Sequence, residues 1–298
     1  GTRVIGVRSG DADVQAEVVV LAEGALGFLA REAGLRANPE PRDYALGVKE
    51  IIELPAERIE ERFGLEKGQG AAQLFFGSLT EGMMGGGFLY TNKDSLSLGL
   101  VVSIRDLMQR GNGGNPTEPH DMLEAFKNRP EVRPLIDGGR SVEYSAHAIL
   151  EGGLRSVGKF HRDGMLVVGD AAGLSQNLGL TVRGMDFALA SGAMAARTIL
   201  QARKAGDYSA TALAQYDRTL RESFVIRDLE TFRNLPAFLE NPRLFEVYPQ
   251  VATGMLEELF WIGAHPKEKF SRTVLRAVRA GLPGVSAIRD LLAALKAL

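Results

Sequence analysis

Polar and apolar residues alternate through much of the first half of the chain, and alternation of this kind predicts β-strands. We predict strands over residues 45–53, 71–77, 86–91, 95–103 and 141–148. The turn over residues 92–95 is short and polar, so the two strands beside it should form a hairpin. Successive strands joined by short turns indicate an antiparallel sheet.

The rest of the chain is mainly of helical periodicity. One apolar face recurs through residues 208–232 and predicts a single long amphipathic helix there; its residues are Leu213, Tyr216, Leu220 and Phe224. Shorter helices are predicted over residues 26–33, 55–63, 119–128 and 244–262, and in two pieces of the tail that are separated at residues 281–284.

Residues 165–173, Met-Leu-Val-Val-Gly-Asp-Ala-Ala-Gly, are the most informative segment. They predict a buried strand, a tight turn at Gly169 and Asp170, and small residues that open a helix. An Asp at that point can accept hydrogen bonds from the ribityl chain of a flavin, while amides of the first helical turn can stabilise negative charge on the isoalloxazine ring. In the alternative interpretation, Asp170 only caps a helix and its small neighbours only pack against a strand.

Several segments carry a resemblance to a known family. Residues 169–192 resemble the second flavin motif of FixC, in the electron-transfer-flavoprotein:quinone oxidoreductase branch of the p-hydroxybenzoate-hydroxylase-like flavoproteins. Residues 84–92 and 143–153 resemble FixC as well, and residues 22–25 (Ala-Glu-Gly-Ala) resemble the middle flavin motif of the family. The similarity extends from residue 1 to about residue 265.

The resemblance, together with the pattern of elements, implies an α/β (α+β) fold with FAD as cofactor. We expect an incomplete Rossmann-like FAD-binding domain (residues 1–40 and 150–205), an antiparallel-sheet substrate or quinone domain (41–149) and a C-terminal helical region (206–298). No side chain need act as a catalytic acid or base. The expected FAD-binding residues are Gly24, Gly169, Asp170, Ala171, Ala172, Gly173, Asn177, Gly179, Leu180 and Thr181.

The same resemblance implies partners. Electrons would arrive from an electron-transfer flavoprotein of the FixA/FixB type and pass through FAD to a quinone. The larger quinone oxidoreductases carry an iron–sulfur cluster held by cysteine thiolates. This chain has no cysteine, so the resemblance implies a separate ferredoxin-like partner of the FixX type.

Enzymes of this family open with a Gly-x-Gly-x-x-Gly turn that binds the ADP pyrophosphate, and this chain has no such element. We therefore expect that an N-terminal portion, on the order of one hundred residues, is absent. The alternative is a complete protein that never had an ADP site.

The composition and charge of the chain limit its possible partners and its location. The chain has 298 residues and a formal net charge of -2, which argues against nucleic acid as the main partner. No apolar run approaches the roughly 18 to 20 residues of a membrane span, and the histidines have no metal-ligand spacing, so a cytoplasmic protein without a metal is expected. The tail is basic and amphipathic, which fits either peripheral contact with the inner face of a membrane or a structural lid; its cations are Lys267, Lys269, Arg272, Arg276, Arg279, Arg289 and Lys296.

Other interpretations stay open at this stage. The glycines at 85–87 suit either close approach of a ring or a strand bulge, and Tyr144 or His147 could donate a proton to a quinone or be structural. An isoprenoid-chain reductase or a hydroxylase of the same fold, and a non-catalytic assembly module, remain as alternative functions.

Overall fold

The structure is a computed structural model that describes residues 2–114, 116–179, 181–264, 266–281 and 284–297. Backbone contacts divide the chain into two compact units. The first comprises Gly1–Tyr44 and Ala148–Pro236, and the second comprises Ala45–His147 and Ala237–Leu298. The predicted boundaries at residues 40, 149 and 205 remain a prediction.

The strands are short in the first unit and longer in the second. In chain order they are β1 (Gly6–Ser9), β2 (Ala12–Gln15), β3 (Val19–Leu21), β4 (Tyr44–Glu53), β5 (Ala72–Phe75), β6 (Gly85–Thr91), β7 (Ser95–Ser103), β8 (Arg140–Leu150), β9 (His161–Arg162), β10 (Met165–Val167), β11 (Gln176–Asn177) and β12 (Val182–Arg183).

The helices dominate the second half of the chain. In chain order they are α1 (Phe28–Glu32), α2 (Ala56–Phe63), α3 (Ile104–Asn112), α4 (Pro119–Lys127), α5 (Arg133–Ile136), α6 (Met185–Ala205), α7 (Ala210–Glu222), α8 (Phe224–Thr231), α9 (Leu235–Leu239), α10 (Arg243–Phe260), α11 (Phe270–Gly281) and α12 (Gly284–Ala297). Parallel and antiparallel strands thus combine with many helices, and the mixed α/β class predicted from the sequence is confirmed.

The first unit is organised by a small mixed sheet in the order β3-β10-β9. Strands β3 and β10 are parallel, with Met165 opposite Val19 and Val167 opposite Leu21. All three residues of β10 are buried, which is expected for a parallel strand covered on both faces. Its neighbours in the core include Phe160, Phe187 and Tyr216, each with no exposed surface.

The second unit contains a five-stranded sheet in the order β5-β6-β7-β4-β8. Strands β4 and β7 are antiparallel, from Ala45 opposite Ser103 to Glu53 opposite Ser95. Leu96, Leu98 and Leu100 of β7 are fully buried, while Ser95 and Ser97 are only half-buried, as the period of two predicts. The predicted strands and their antiparallel pairing are confirmed.

The predicted long helix over residues 208–232 is wrong, because the chain breaks at Ser223. That residue has extended backbone (φ -82, ψ 169), and its hydroxyl accepts a hydrogen bond from the Val225 amide to start α8. Helix α3 was not predicted at all. It is started in the same way by Ser103, whose hydroxyl accepts from the Asp106 amide.

The helix expected to open beyond Asp170 is also wrong. Residues Gly169–Ala172 form only a 3₁₀ turn, which Gly173 ends in the left-handed region at φ 82. The β11–β12 hairpin follows, and the long helix α6 begins at Met185. Leu180 lies outside the described residues.

Among the residues that the structure describes, no helix is both long enough and apolar enough to cross a membrane.

Candidate functional site

Two parallel strand ends form the floor of the candidate site. Beyond β3 and β10 the ladder gains one more hydrogen bond, from the Val168 amide to the Leu21 carbonyl at 3.0 Å. The chain then turns at residues 22–25 after one strand and at residues 169–173 after the other. The carboxyl ends of adjacent parallel strands are where open α/β sheets bind ligands. Both predicted flavin motifs therefore lie at the same edge of the first unit.

The turn after β10 requires its two glycines. Gly169 adopts φ 58 and Gly173 adopts φ 82, conformations that favour glycine. A Cβ at Gly173 would lie 2.0 Å from the carbonyl oxygen of Ser156. The Gly169 amide donates to the Ser191 hydroxyl of α6 at 3.0 Å. The turn is thus locked between the strand and the long helix.

The amides of this turn are partly committed to the protein itself. The Gly173 amide donates to the Asp170 carbonyl at 2.9 Å, and the Leu174 amide donates to the Gly169 carbonyl at 3.2 Å. The side chains of Ala171 and Ala172 are buried. The Gly173 amide, expected from the sequence to stabilise a reduced flavin, is therefore already used within the turn.

Asp170 is the half-buried carboxyl of the turn. Its Oδ1 lies at the start of α6, 3.6 Å from the position that a Cβ would take on Gly184. The positive end of the helix dipole at that point favours an ionised carboxylate. Asp170 can thus present acceptor oxygens at the strand edge, as the flavin hypothesis needs.

The backbone at Gly24 is open to a ligand at this edge of the sheet. It adopts φ 78, and among the described residues no atom lies within 4 Å of the position of a Cβ there. The neighbouring Glu23 is occupied, because its carboxylate accepts from the amides of Leu29 at 2.8 Å and Ala30 at 2.7 Å. A ligand approaching this loop would meet backbone at Gly24.

Arg36 was missed by the sequence analysis. It is only 6% exposed, and its Nη1 donates to the Ala25 carbonyl at 2.8 Å and to the Asp170 carbonyl at 3.2 Å, one acceptor beyond each strand. Its Nε and Nη2 are buried and have no hydrogen-bond partner within the described part of the chain. Burial lowers the pKa of the guanidinium. Gly27 makes room for it, since a Cβ there would lie 2.5 Å from Nη1.

Comparisons with known proteins agree with this geometry. Residues 44–149 match the family model for the ubiquinone-binding region of ETF-QO, and residues 235–298 match the model for the C-terminal domain of the ETF-QO/FixC family. The chain is 44% identical over 295 residues to the protein FixC of Escherichia coli, covering 96% of this chain and 68% of FixC. The chain belongs to the ETF-QO/FixC family.

A second relative in the family is the probable electron transfer flavoprotein-quinone oxidoreductase YdiS of Escherichia coli, 47% identical over 95% of this chain and 65% of YdiS. The chain thus spans about two thirds of the length of these relatives. A geranylgeranyl bacteriochlorophyll reductase-like protein from Thermoplasma acidophilum has a similar fold, with a TM-score of 0.62 at 18% identity over 97% of this chain and 66% of that one.

The loop predicted to contact the flavin pyrimidine ring is the connection between β11 and β12. The Asn177 Oδ1 accepts from the Gly179 amide at 2.7 Å, and the Leu178 amide donates to the Thr181 carbonyl at 2.8 Å. Gly179 and Thr181 are exposed. Leu180, also predicted to bind FAD, lies outside the described residues.

A second residue that the sequence analysis missed lies beneath this loop. Glu151, just after β8, is 4% exposed, and its Oε1 accepts from the Asn177 Nδ2 at 3.2 Å. Burial raises the pKa of this carboxyl to about 7, and the bond from Asn177 opposes the shift only in part. The segment 143–153 was recognised by its resemblance to the family, but nothing in its pattern marked Glu151 as buried.

The three glycines of β6 are explained by packing in the second unit. A Cβ at Gly85 would lie 2.0 Å from the Val101 carbonyl oxygen, one at Gly86 would lie 2.9 Å from the Phe75 carbonyl oxygen, and one at Gly87 would lie 2.7 Å from Leu79. Close packing against the neighbouring strands and Leu79, which neither interpretation from the sequence included, accounts for all three glycines.

Tyr144 and His147 both lie in β8. Residues an odd number apart on a strand point to opposite faces, so the two side chains cannot serve the same quinone carbonyl together. Tyr144 packs edge-on against the ring of His120 at 5.5 Å. Among the described residues no group of three or more His, Cys, Asp or Glu could hold a metal ion.

Proposed function

We propose that this chain forms the flavin-facing part of a FixC-like oxidoreductase that transfers electrons through FAD to a quinone. The observation that carries the proposal is the shared edge of β3 and β10. There the Gly169–Ala172 turn and the Gly24 loop, which resemble two flavin motifs of the family, lie side by side.

The residues at this edge fit FAD. Asp170 offers a carboxylate for the ribityl hydroxyls, and Gly24 leaves its Cα face open to a ligand. Arg36 has buried N–H groups without acceptors in the described chain, which suits the phosphate or carbonyl oxygens of the cofactor. Bound there, FAD would supply one- and two-electron transfer. The protein would orient it through Asp170, Asn177, Gly179 and Thr181.

The partners follow from the family. We propose an electron-transfer flavoprotein of the FixA/FixB type as donor, a quinone as acceptor and a ferredoxin-like protein of the FixX type as an accompanying partner. YdiS, a relative named for electron transfer flavoprotein and quinone, is 47% identical to this chain. The match of residues 44–149 to a ubiquinone-binding model supports the second unit as the quinone domain.

We also propose that the second unit contacts an anionic membrane surface, where a lipid-soluble quinone resides. Phe260, Trp261 and Ile262 at the end of α10 are exposed, Ile262 to 90%. The basic residues Lys267 and Lys269 lie five and seven residues beyond Ile262. Exposed aromatic residues beside cations are the composition of a membrane-interface segment.

Flavin binding tests the central proposal. FAD is titrated into the chain, and so is riboflavin, which lacks the ADP half. FAD is also titrated into a form of the chain that carries the ADP-binding segment of Escherichia coli FixC. Binding is expected to quench the flavin fluorescence, and Asp170→Ala should weaken the affinity for flavin by about tenfold or more. Asp13→Asn is the matched control, because Asp13 pairs with Arg8 on the exposed N-terminal hairpin. If no form binds flavin, the proposal is wrong.

One structural observation favours a second candidate, a non-catalytic assembly module. Helix α6 exposes an apolar stripe that includes Met185 (86% exposed), Leu189 and Leu200, and large exposed apolar stripes mark interaction surfaces. The flavin titration separates the two candidates, because an assembly module would associate through α6 without binding flavin.

A further inference from the structure

Glu151 is held in place from both sides. Its backbone amide donates to the Asp43 carbonyl at 2.8 Å, and the residue is buried. The Oε1 atom accepts from the Asn177 Nδ2 at 3.2 Å.

The orientation of the Asn177 amide follows from this contact. An ionised carboxylate can only accept, so it selects the Nδ2 end of the amide and directs Oδ1 away from itself. The Oδ1 then accepts from the Gly179 amide at 2.7 Å. Three residues thus form a chain of hydrogen bonds from a buried carboxyl to the exposed backbone of the predicted flavin loop.

A carboxyl is an unfavourable choice for a purely structural task. A glutamine would accept the same bond without the free-energy cost of a buried charge. Asp43, whose backbone carbonyl accepts from the Glu151 amide, forms an ion pair with Arg155 at 3.3 Å. No ion pair joins Glu151 to a cation within the described residues. An unpaired buried carboxyl beside a predicted cofactor loop indicates a role for its proton.

We propose that Glu151 is a positioning residue of the flavin site, which aims the Asn177 amide while ionised and takes up a proton from solvent when a bound flavin gains negative charge. This inference rests on the proposed function. One proton joins one carboxylate, and no electron passes through the residue. Because the folded-state pKa of Glu151 lies at about 7, a nearby negative charge would shift it towards the protonated form at neutral pH.

Protonation has a structural consequence at Gly179. A protonated carboxyl can donate, so it can bind the Oδ1 end of Asn177 instead of the Nδ2 end. Reversal of the amide removes the acceptor from the Gly179 N–H, which can then point at the negatively charged ligand. Protonation of Glu151 would thus free the Gly179 N–H as a hydrogen-bond donor for the ligand.

The first test needs no flavin. Carbon-13 NMR of the Glu151 carboxyl and proton NMR of the Asn177 and Gly179 amides are followed against pH in the chain. We expect all three to titrate together near the raised pKa of about 7, and Glu151→Gln should abolish the titration of the two amides. Glu143→Gln, at an exposed position of β8, should leave it unchanged. Titration of Glu151 at its ordinary pKa, or without a response at Gly179, overturns the inference.

The second test counts protons on binding. Calorimetry in buffers of different ionisation enthalpy measures proton uptake when oxidised or chemically reduced FAD binds to the chain, or to the form with the FixC ADP-binding segment. Proton uptake should be larger with reduced FAD than with oxidised FAD by a sizeable fraction of one proton, and Glu151→Gln should remove that difference. Equal uptake in both proteins refutes the role of Glu151 and leaves the flavin site standing. Failure of every form to bind flavin refutes both proposals.

Discussion

Tyr216 of α7 donates a hydrogen bond from its phenol to the carbonyl of Val167 at 3.0 Å, at the last residue of β10 and two residues before Gly169. The ring is fully buried and meets Phe160 edge-on at 6.2 Å. Burial raises the pKa of the phenol well above its usual range, so Tyr216 stays a donor at any accessible pH. This bond ties a helix of the first unit to the strand that presents the candidate site.

Tyr216→Phe should therefore destabilise the first unit by about 1–2 kcal/mol, since the buried carbonyl of Val167 loses its side-chain donor while the packing is kept. Scanning calorimetry of the chain measures the change. Tyr90→Phe, at a partly exposed position of β6, should stay within about 0.5 kcal/mol of wild type. Equal effects of the two changes would contradict the importance of the Tyr216 bond.

The sequence predicted those secondary-structure elements that are determined by residues close together in the chain. The strands of the second unit were found because alternation as in Leu96, Leu98 and Leu100 records burial of one face directly. The turn at Gly169 was found because glycine at a strand end records a backbone conformation. The break at Ser223 was missed because the apolar period continues through Phe224 and a serine cap acts against it.

The two residues of the candidate site that were missed owe their roles to hydrogen-bond partners that are far away in the chain. Arg36 acquires its meaning from the Asp170 carbonyl, 134 residues distant, and Glu151 from Asn177, 26 residues distant. No period or motif in a single sequence records which distant loop will cover a charged side chain. Residues of this kind become visible only once the strand order is known.

Arg36→Met should separate binding from stability. In the flavin-free chain the guanidinium leaves Nε and Nη2 without described partners, so removing the buried charge relieves a cost that offsets the two lost bonds. We expect the free energy of unfolding to change by less than about 1 kcal/mol, while affinity for FAD falls by about tenfold. Chemical denaturation and flavin titration measure the two quantities. A large loss of stability with unchanged affinity would show that Arg36 only joins the two strand ends.

Asp290 of α12 joins the C-terminal helices. Its carboxylate accepts from Arg243 at 2.6 and 2.7 Å and from the Tyr248 phenol at 2.7 Å, both on α10. The Arg243 guanidinium holds the pKa of this carboxyl well below its usual range. The resulting stability is complete above the unfolded-state pKa of about 4 and is lost as the pH falls below it.

Asp290→Asn should accordingly lower the melting temperature of the second unit by a few degrees at pH 7, and the difference should shrink when the pH is lowered below about 4. Asp217→Asn is a control, because Asp217 forms an i,i+4 ion pair with the exposed Arg221, a kind of pair that contributes little. A difference between Asp290→Asn and wild type that does not depend on pH would indicate altered packing of α12 instead.

Glu151→Gln should show the opposite pH dependence in stability. The folded-state pKa of about 7 lies above the ordinary value of 4.5, so ionising the buried carboxyl opposes folding. Wild type loses stability as the pH rises from about 4.5 through 7, whereas the neutral glutamine keeps the bond from Asn177 at every pH. The variant should match wild type near pH 4.5 and exceed it at pH 8 by about 2–3 kcal/mol. Urea unfolding at the two pH values measures this difference. If Glu151→Gln were less stable at both, the carboxyl would have a favourable partner, and its raised pKa would no longer describe the site.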